Sequence, residues 1–516
     1  MNANKPEVLA SIDVGSNSLQ MMIAEIMGPG EVRLLEDLWK PTNIGRDTFA
    51  HKRISLESIN ETAETLKGFV KLMRDYHTQR YRAVSTSGLR EADNRDYVLE
   101  QLRLRTGLSV EVINSAQERL YIYKSMRDRL PGIQDFRYPG FLIINIRMGG
   151  LEASVYHEGF LSFTEYIKAG SLRLRQVLKD LEVKTLDFPA LMEEYLQSKT
   201  YTLKPRIDDL NIVNVVGLGG EIDTIASLCK QMKLIKDEKF ISKKALNRLF
   251  MLIRDMTTEQ VAYEYELHFN EADIILPSII IYREFLGMTL AEGIHVPGVT
   301  LRHGLFADMV DEKFDTSRKQ LFNEDIINSA WYLGGKHGQI LQHSRKVNEL
   351  ALSIFDQCKN IHRLDSRDRM LLEVASILHD VGKNIDPSEY ALHSYNIIVA
   401  SDIMGFSDRE MELIANVARY HGEDIPQESQ RSYRDLNEIE KMTVSKLAAI
   451  LKLAVALDTS MKQKIRQIHI SRSNRDLIFT IETDADTLLE EWSFSQQTGF
   501  FEEVMGYKPK IKKKGM

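Results

Sequence analysis

Two stretches near the front of the chain combine the residue types that handle phosphate. In Ile12-Asp13-Val14-Gly15-Ser16-Asn17-Ser18 an apolar run ends in an acid and turns through small polar residues before apolar residues resume. Gly15 permits close backbone approach to an anion, Ser16, Asn17 and Ser18 offer donors to phosphate oxygens, and Asp13 can hold a metal-bound water. The same residues also suit a plain hairpin turn. In Ser85-Thr86-Ser87-Gly88-Leu89-Arg90-Glu91-Ala92, hydroxyls and an arginine fall at a strand-to-helix junction. A helix start attracts anions through its free N–H groups, and Arg90 could clamp phosphate with two parallel hydrogen bonds; an N-cap followed by a surface arginine is the plainer alternative. Far downstream, His343, the pair His379-Asp380 and Asp458 fall in that order, each at the end or on the face of a helix. Nitrogen and carboxylate donors of this kind suit a divalent ion, although a His-Asp pair also caps helices and pairs locally.

The elements that must hold these residues follow from periodicity. Residues 8–26 read as strand, polar turn and strand, 56–76 as a helix, 82–84 as a short strand, and 110–113 as another. A helix opens near Tyr97, and 117–126 is helical. After Pro131 and Gly132 the pattern restarts, with strands at 141–146, 152–157 and 211–216. Two rounds of strand, polar turn and strand indicate two related α/β lobes facing across a cleft. From about Thr316 the texture turns to long helices, at 329–357, 367–378, 408–420 and 443–457. Strand-like runs at 467–471 and 476–482 follow, then a helix at 488–505. The tail carries Lys508, Lys510, Lys512, Lys513 and Lys514, and reads as a solvated, partly frayed end or as a lure for a polyanion.

A chain of 516 residues exceeds what one hydrophobic core supports, so three or four domains are expected. With 43% hydrophobic and 27% charged residues it belongs with folded proteins rather than disordered or fibrous ones. A net charge of -7 argues against nucleic acid as the principal partner. Cys229 and Cys358 lack partners at metal-ligand spacing, which suits a reducing cytosol and excludes a disulfide framework. No run approaches the roughly 18 uninterrupted apolar residues of a membrane span, and the first residues lack the apolar core of a signal peptide. A cytoplasmic protein is the expectation.

Further motifs extend the reading: residues 43–49, the pair Gln117-Glu118, Ala272-Asp273-Ile274-Ile275-Leu276-Pro277 and Thr300-Leu301-Arg302-His303-Gly304. With the two phosphate-type stretches, and in this order, they resemble the exopolyphosphatase / guanosine pentaphosphate phosphohydrolase family over nearly the whole chain. The resemblance implies two actin- and sugar-kinase-like (ribonuclease-H-like) lobes, with the active site between them and a divalent cation, usually magnesium, assisting phosphoanhydride cleavage. By it, Glu118 aligns with the catalytic glutamate, Arg90 with the phosphate-clamping arginine, Asp13 with the acid of the first loop and Glu152 with the acid that helps hold metal. The order of His343, His379, Asp380 and Asp458 resembles the HD phosphohydrolases, in which such residues hold a divalent metal; His393 and His421 stand near enough in sequence to contact phosphate or a second metal. A homodimer is likewise implied by resemblance.

The match breaks on the far wall. Asn145-Ile146-Arg147-Met148-Gly149-Gly150-Leu151-Glu152 carries an amide where the family has an acid, and Arg147 and Met148 where glycines would admit phosphate; Gly149 and Gly150 remain. Gly219 and Gly220 keep a further loop, but Glu221 and Asp223 beside them would each repel a phosphate by on the order of 1 to 4 kcal/mol. Gln117 replaces one of two paired glutamates. The expected architecture is phosphate-binding lobe I at 1–127, lobe II at 128–312, a helical HD-type domain at 313–465 and a small α+β domain at 466–516. The expected activity is removal of terminal phosphates from inorganic polyphosphate and from guanosine pentaphosphate. The rivals are an impaired sensor of polyphosphate or guanosine tetraphosphate, and a hydrolase working from the rear domain.

Overall fold

The computed structural model describes residues 6–28, 31–129, 140–147, 149–157, 160–314, 317–401, 403–422 and 424–514. Met148 lies outside them. The chain divides into two compact units, Met1–Asp325 and Ile326–Met516.

The first unit holds two mixed sheets. Strands β1 (Glu7–Val14), β2 (Ser18–Gly28), β3 (Glu31–Pro41), β4 (Arg80–Ser85) and β5 (Glu111–Val112) are ordered β3-β2-β1-β4-β5. Strands β6 (Phe141–Ile146), β7 (Leu151–His157), β8 (Phe160–Ile167), β9 (Asn214–Leu218), β10 (Phe240–Ser242) and β11 (Gly293–His295) are ordered β10-β11-β9-β6-β7-β8. Each sheet is an antiparallel three-strand meander whose first strand also pairs in parallel with a later one, β1 with β4 and β6 with β9. The duplication expected from the strand, turn and strand rhythm is therefore present as topology. The central strands are buried on both faces, which is why β6 reads FLIINI without alternation.

Lobe I buries Ile12, Met21 and Ile23 of its sheet against Ile59, Ala63, Leu66 and Phe69 of the helix Leu56–Asp75. That helix starts where Ser55 accepts a hydrogen bond from the Ser58 amide. Lobe II packs around Phe269–Gly287, a helix with Ile275, Ile279, Ile280, Ile281 and Phe285 all buried. Apolar residues on every side of a helix place it inside rather than on the surface.

The second unit is a helical bundle followed by a three-stranded sheet. Its helices Ser366–Leu378, Asp408–Arg419 and Glu438–Ala456 each begin with a capping box, at Asp365, Ser407 and Asn437. The single helix expected over 329–357 is two, Ser317–Lys336 and Leu341–Gln357. Gly338, at φ +70°, turns the chain between them, a conformation that would end a helix at any residue. The basic tail is also more ordered than expected: β14 (Lys508–Lys513) pairs in parallel with β13 (Asp476–Glu482), which pairs with β12 (Gln467–Ser473). Alternation puts Pro509 and Ile511 inward and Lys508, Lys510 and Lys512 toward solvent, and Lys513 at the strand end is exposed as well, so the charges decorate an edge strand instead of fraying. Among the described residues, no helix is long and apolar enough to cross a membrane.

Candidate active site between the front lobes

The two meanders present matching positions to one cleft. Asp13, one residue before the end of β1, lies opposite Gln20 of β2 and Val84 of β4. Asn145, one residue before the end of β6, lies opposite Glu152 of β7 and Leu218 of β9. Asp13 and Asn145 are thus counterparts, as are Gln20 and Glu152. The cleft between them has a volume of about 170 Å³ and is walled by Asp13, Gly15, Ser16, Asn17, Ser18, Thr86, Ser87 and Glu118 from lobe I. Lobe II contributes Asn145, Arg147, Gly219, Gly220 and Glu221.

Backbone geometry explains the loops. Gly15 donates its amide to the Ser18 carbonyl at 3.0 Å, closing the first turn, and Ser16 Oγ meets Ser87 Oγ at 3.2 Å, joining the two lobe I loops. Gly149 comes so close to lobe I that a Cβ there would sit 2.7 Å from the Phe49 ring and 3.2 Å from Ser87 Oγ. Gly219 has φ +101° and caps the helix Gly220–Gln231, whose start therefore points into the cleft. Not every expected phosphate ligand reaches it. Ser85 Oγ donates to the Val14 carbonyl at 2.6 Å, tying β4 to β1, and neither Gly149 nor Gly150 belongs to the cleft wall; Asp223, expected to repel phosphate, does not border it either.

Glu118 stands in the first turn of the helix Ser115–Arg129, where the helix dipole favours an anion. Gln117 caps that helix: its Oε1 accepts from the Asn114 amide at 3.1 Å while Asn114 Oδ1 accepts from the Gln117 amide at 2.9 Å. The position where the family has a second glutamate is thus a capping position. Arg90 lies behind the catalytic candidate rather than in the cleft, donating from Nη1 to the Ile113 carbonyl at 2.7 Å and from Nη2 to Ser115 Oγ at 3.4 Å. It grips the turn that launches the Glu118 helix.

Arg147, read in the sequence as an obstruction, is wedged between the acids. Its Nη1 donates to Glu118 Oε2 at 2.5 Å, and its Nε and Nη2 donate to the Asn145 side-chain oxygen at 3.2 and 2.9 Å. These contacts use three of the five guanidinium N–H donors. Glu152, expected near a metal, is instead held by Arg119, with Nε to Oε1 at 2.8 Å and Nη2 to Oε2 at 3.0 Å. Both partners are almost fully buried, at 5% and 3% exposure, so this is a closed ion pair.

Burial dominates the titration of the remaining acids. It pushes Asp13 up to about 7, reinforced by the Glu118 charge and opposed by Arg302 and Arg147. It raises Glu118 as well, while Arg147 and Arg90 pull the other way. Glu221 rises to about 7, again chiefly through burial, so near neutral pH it carries about half a charge and repels phosphate less than the sequence suggests. These donors do not make a cage for a divalent ion at the front. Glu152 is paired with Arg119, Asn145 is neutral and Glu118 is taken by Arg147, which leaves Asp13 of the acids expected to hold a metal there; its Oδ1 is buried with no hydrogen-bond partner among the described residues.

The second unit gathers its own cluster. His379 Nδ1 bonds the Ser376 carbonyl at 2.8 Å, and His421 Nδ1 bonds the Ala418 carbonyl. Both rings are thereby left with Nε2 as the free nitrogen, the tautomer a metal ligand requires. His379 Nε2 and His421 Nε2 each lie 3.5 Å from the Asp380 carboxylate, and His343 Nε2 lies 3.7 Å from it. His379 Nε2, His421 Nε2 and Asp380 Oδ1 are buried and lack hydrogen-bond partners among the described residues. Asp458 stands one step back, with Oδ2 at 2.8 Å from His343 Nδ1, orienting that ring. His421 therefore joins His343, His379 and Asp380 more directly than Asp458 does. These donors fit a divalent transition ion.

Paired meander lobes that meet at one cleft, with glycine- and hydroxyl-bearing loops and a buried carboxylate in its wall, define a protein of the actin and sugar-kinase superfold. A solved exopolyphosphatase from Cytophaga hutchinsonii shares this fold at 20% identity and a TM-score of 0.52, over 59% of this chain and 98% of its own. The chain belongs to the Ppx/GppA phosphatase family, whose model matches residues 12–313; the model for Ppx/GppA phosphatase domain III matches 332–497. Curated relatives include the guanosine-5'-triphosphate,3'-diphosphate pyrophosphatases of Vibrio parahaemolyticus, 25% identical over 88% of each chain, and Vibrio vulnificus, 24% identical over 94% of each. Sequence reasoning missed Arg119, the pairing role of Arg147 and the strand β3. Arg119 was adjacent to the candidate base, but nothing in its spacing said it would turn to Glu152.

Proposed function

We propose that this protein hydrolyses terminal phosphoanhydrides, of guanosine pentaphosphate and of inorganic polyphosphate, in the cleft between the front lobes. The observation that carries the reading is the buried Glu118 carboxylate bordering one cleft together with two phosphate-type loops. The names of similar proteins, a guanosine-5'-triphosphate,3'-diphosphate pyrophosphatase and an exopolyphosphatase, suggest the substrate classes. In this reading Ser16, Asn17, Ser18 and Ser87, with the start of the helix Gly220–Gln231, hold the phosphates. Glu118 takes the proton of the attacking water. Arg147 leaves that carboxylate for the entering phosphate oxygens, which frees the base only when substrate is present. Arg90 is a positioning residue, fixing the turn ahead of the Glu118 helix. In this reading Asp13 and Glu152 do not together form the site of a divalent ion, because Glu152 is paired with Arg119.

Glu118→Gln keeps the shape and removes the base. Phosphate release from guanosine pentaphosphate should fall to background while binding persists. Release at the wild-type rate rules out Glu118 as base, and a wild type that binds without releasing phosphate supports a sensor instead.

The rear cluster favours a second reading, a divalent-metal centre held by His343, His379, Asp380 and His421, with Asp458 orienting His343. An ion there would supply Lewis acidity and a more acidic water. Metal content of the purified protein tests it: His379→Ala with Asp380→Ala should abolish it.

A further inference from the structure

The cleft wall includes one group that phosphate chemistry does not need. Trp39, on the edge strand β3, keeps 40% of its surface exposed and borders the same cleft as Asp13 and Glu118, so part of its indole is open to a ligand there. Its ring stacks on His268 with centroids 5.4 Å apart and planes 24° from parallel, so it is held flat rather than free to swing. Beside it, Glu271 accepts the His268 amide at 3.2 Å through Oε2, which anchors that carboxylate three residues along the same turn. Glu271 and Gln20 also border the cleft. A row of bare phosphates gains nothing from an indole face, and a further carboxylate repels it.

We propose that Trp39 and Glu271 form a seat for a guanine base. This deepens the proposed phosphohydrolase reading and rests on it. A base laid on the exposed indole gains stacking that every purine shares. Selection among purines falls to the carboxylate: guanine offers N1–H and N2–H donors on one edge, which a carboxylate accepts as a pair, whereas adenine offers an acceptor at N1. The seat and the phosphate loops open on one cleft, so a nucleoside carrying a phosphate chain spans both.

The test compares Trp39→Ala, Trp39→Phe and Glu271→Gln with wild type on guanosine pentaphosphate, its adenosine counterpart and inorganic polyphosphate. Calorimetric binding of guanosine tetraphosphate and inorganic tripolyphosphate is measured alongside. For Trp39→Ala, the ratio of kcat/KM on guanosine pentaphosphate to that on polyphosphate should fall about 5- to 150-fold, the span of one lost base stack, while Trp39→Phe retains most of the ratio. Glu271→Gln should narrow the preference for guanosine over adenosine. A Trp39→Ala variant that loses both substrates in equal proportion overturns the seat but leaves the phosphohydrolase reading standing. If wild type releases phosphate from nothing, the binding arm still decides: tetraphosphate held more tightly than tripolyphosphate, with the difference lost in Trp39→Ala, supports the seat, and equal binding overturns it.

Discussion

Arg147→Met places the proposed chemistry under the most direct strain, because it removes the charge beside Glu118 while keeping most of the side-chain bulk. The guanidinium touches Glu118 Oε2 at 2.5 Å, and the two side chains are 13% and 4% exposed, so solvent screens the pair weakly. With charge centres about 4 Å apart and an effective dielectric near 20, their attraction is on the order of 4 kcal/mol. That corresponds to about three pH units, which relaxation and the remaining Arg90 reduce to roughly one to three. The sign follows from the role of the base. Arg147 lowers the proton affinity of Glu118, so its loss raises that affinity, and a general base fails below its own pKa. The acid limb of kcat/KM against pH should therefore move upward by about one to three units in Arg147→Met, and stay near its wild-type position in Arg147→Lys. Phosphate release from guanosine pentaphosphate at a series of pH values reads this out, and the titration of the substrate itself is common to all three proteins. An acid limb that does not move, with the rate lowered evenly at every pH, would show that Arg147 serves only the substrate and that Glu118 is not the titrating base.

Other outcomes follow from the same geometry. Arg119→Met leaves Glu152 buried without its partner and should destabilise the first unit by about 3 to 5 kcal/mol, measured as a shift in urea midpoint, whereas Arg119→Met combined with Glu152→Gln should recover much of it. Asp13 is raised to about 7, so the folded state binds more protons than the unfolded one between about pH 4 and 7, and its contribution to stability falls as pH rises through that window. Asp13→Asn should accordingly stabilise the protein more at pH 7.5 than at pH 5; an equal gain at both contradicts the assignment. Manganese at about a hundredfold excess over its Kd should raise the unfolding free energy of the wild type by about 2.7 kcal/mol and leave the His379→Ala, Asp380→Ala variant unmoved.

What could be read beforehand was mostly local. Apolar runs bounded by glycine and hydroxyl residues located β1, β2, β6 and β7, and the helix 488–505 ends where expected because Gly506, at φ +74°, stops it. Strand β3 escaped because an edge strand alternates weakly: its burial runs from exposed to intermediate with no buried position, and its sequence EVRLLEDLWKP carries charges in the middle. Trp39, which lies on it, escaped with it. The tail was misread because five lysines signal solvent, yet a strand needs only one face inward, and Pro509 and Ile511 supply it. Partner choice among charges was beyond sequence altogether. Arg90, Arg119 and Arg147 are chemically equal candidates for binding phosphate, and only the fold shows that one braces a turn, one neutralises Glu152 and one sits between Glu118 and Asn145.

That last distribution also explains why the eroded loop need not be a dead one. Asn145 is the counterpart of Asp13, and exchanging an acid for an amide there takes a negative charge from the cleft. Had Arg147 not arrived beside it, Glu118 would be a buried carboxylate facing Asp13 with no cation among the cleft-wall residues, a condition that favours protonation and silences a base. An amide oxygen that accepts two N–H groups and a guanidinium that reaches the base form a single unit. Asn145 and Arg147 are therefore coupled: Asn145→Asp alone should draw Arg147 toward the new carboxylate and away from Glu118. A double-mutant cycle on Asn145→Asp and Arg147→Met should show an interaction energy well above the roughly 0.5 kcal/mol of independent sites. Additive effects on phosphate release would mean that the two side chains act independently.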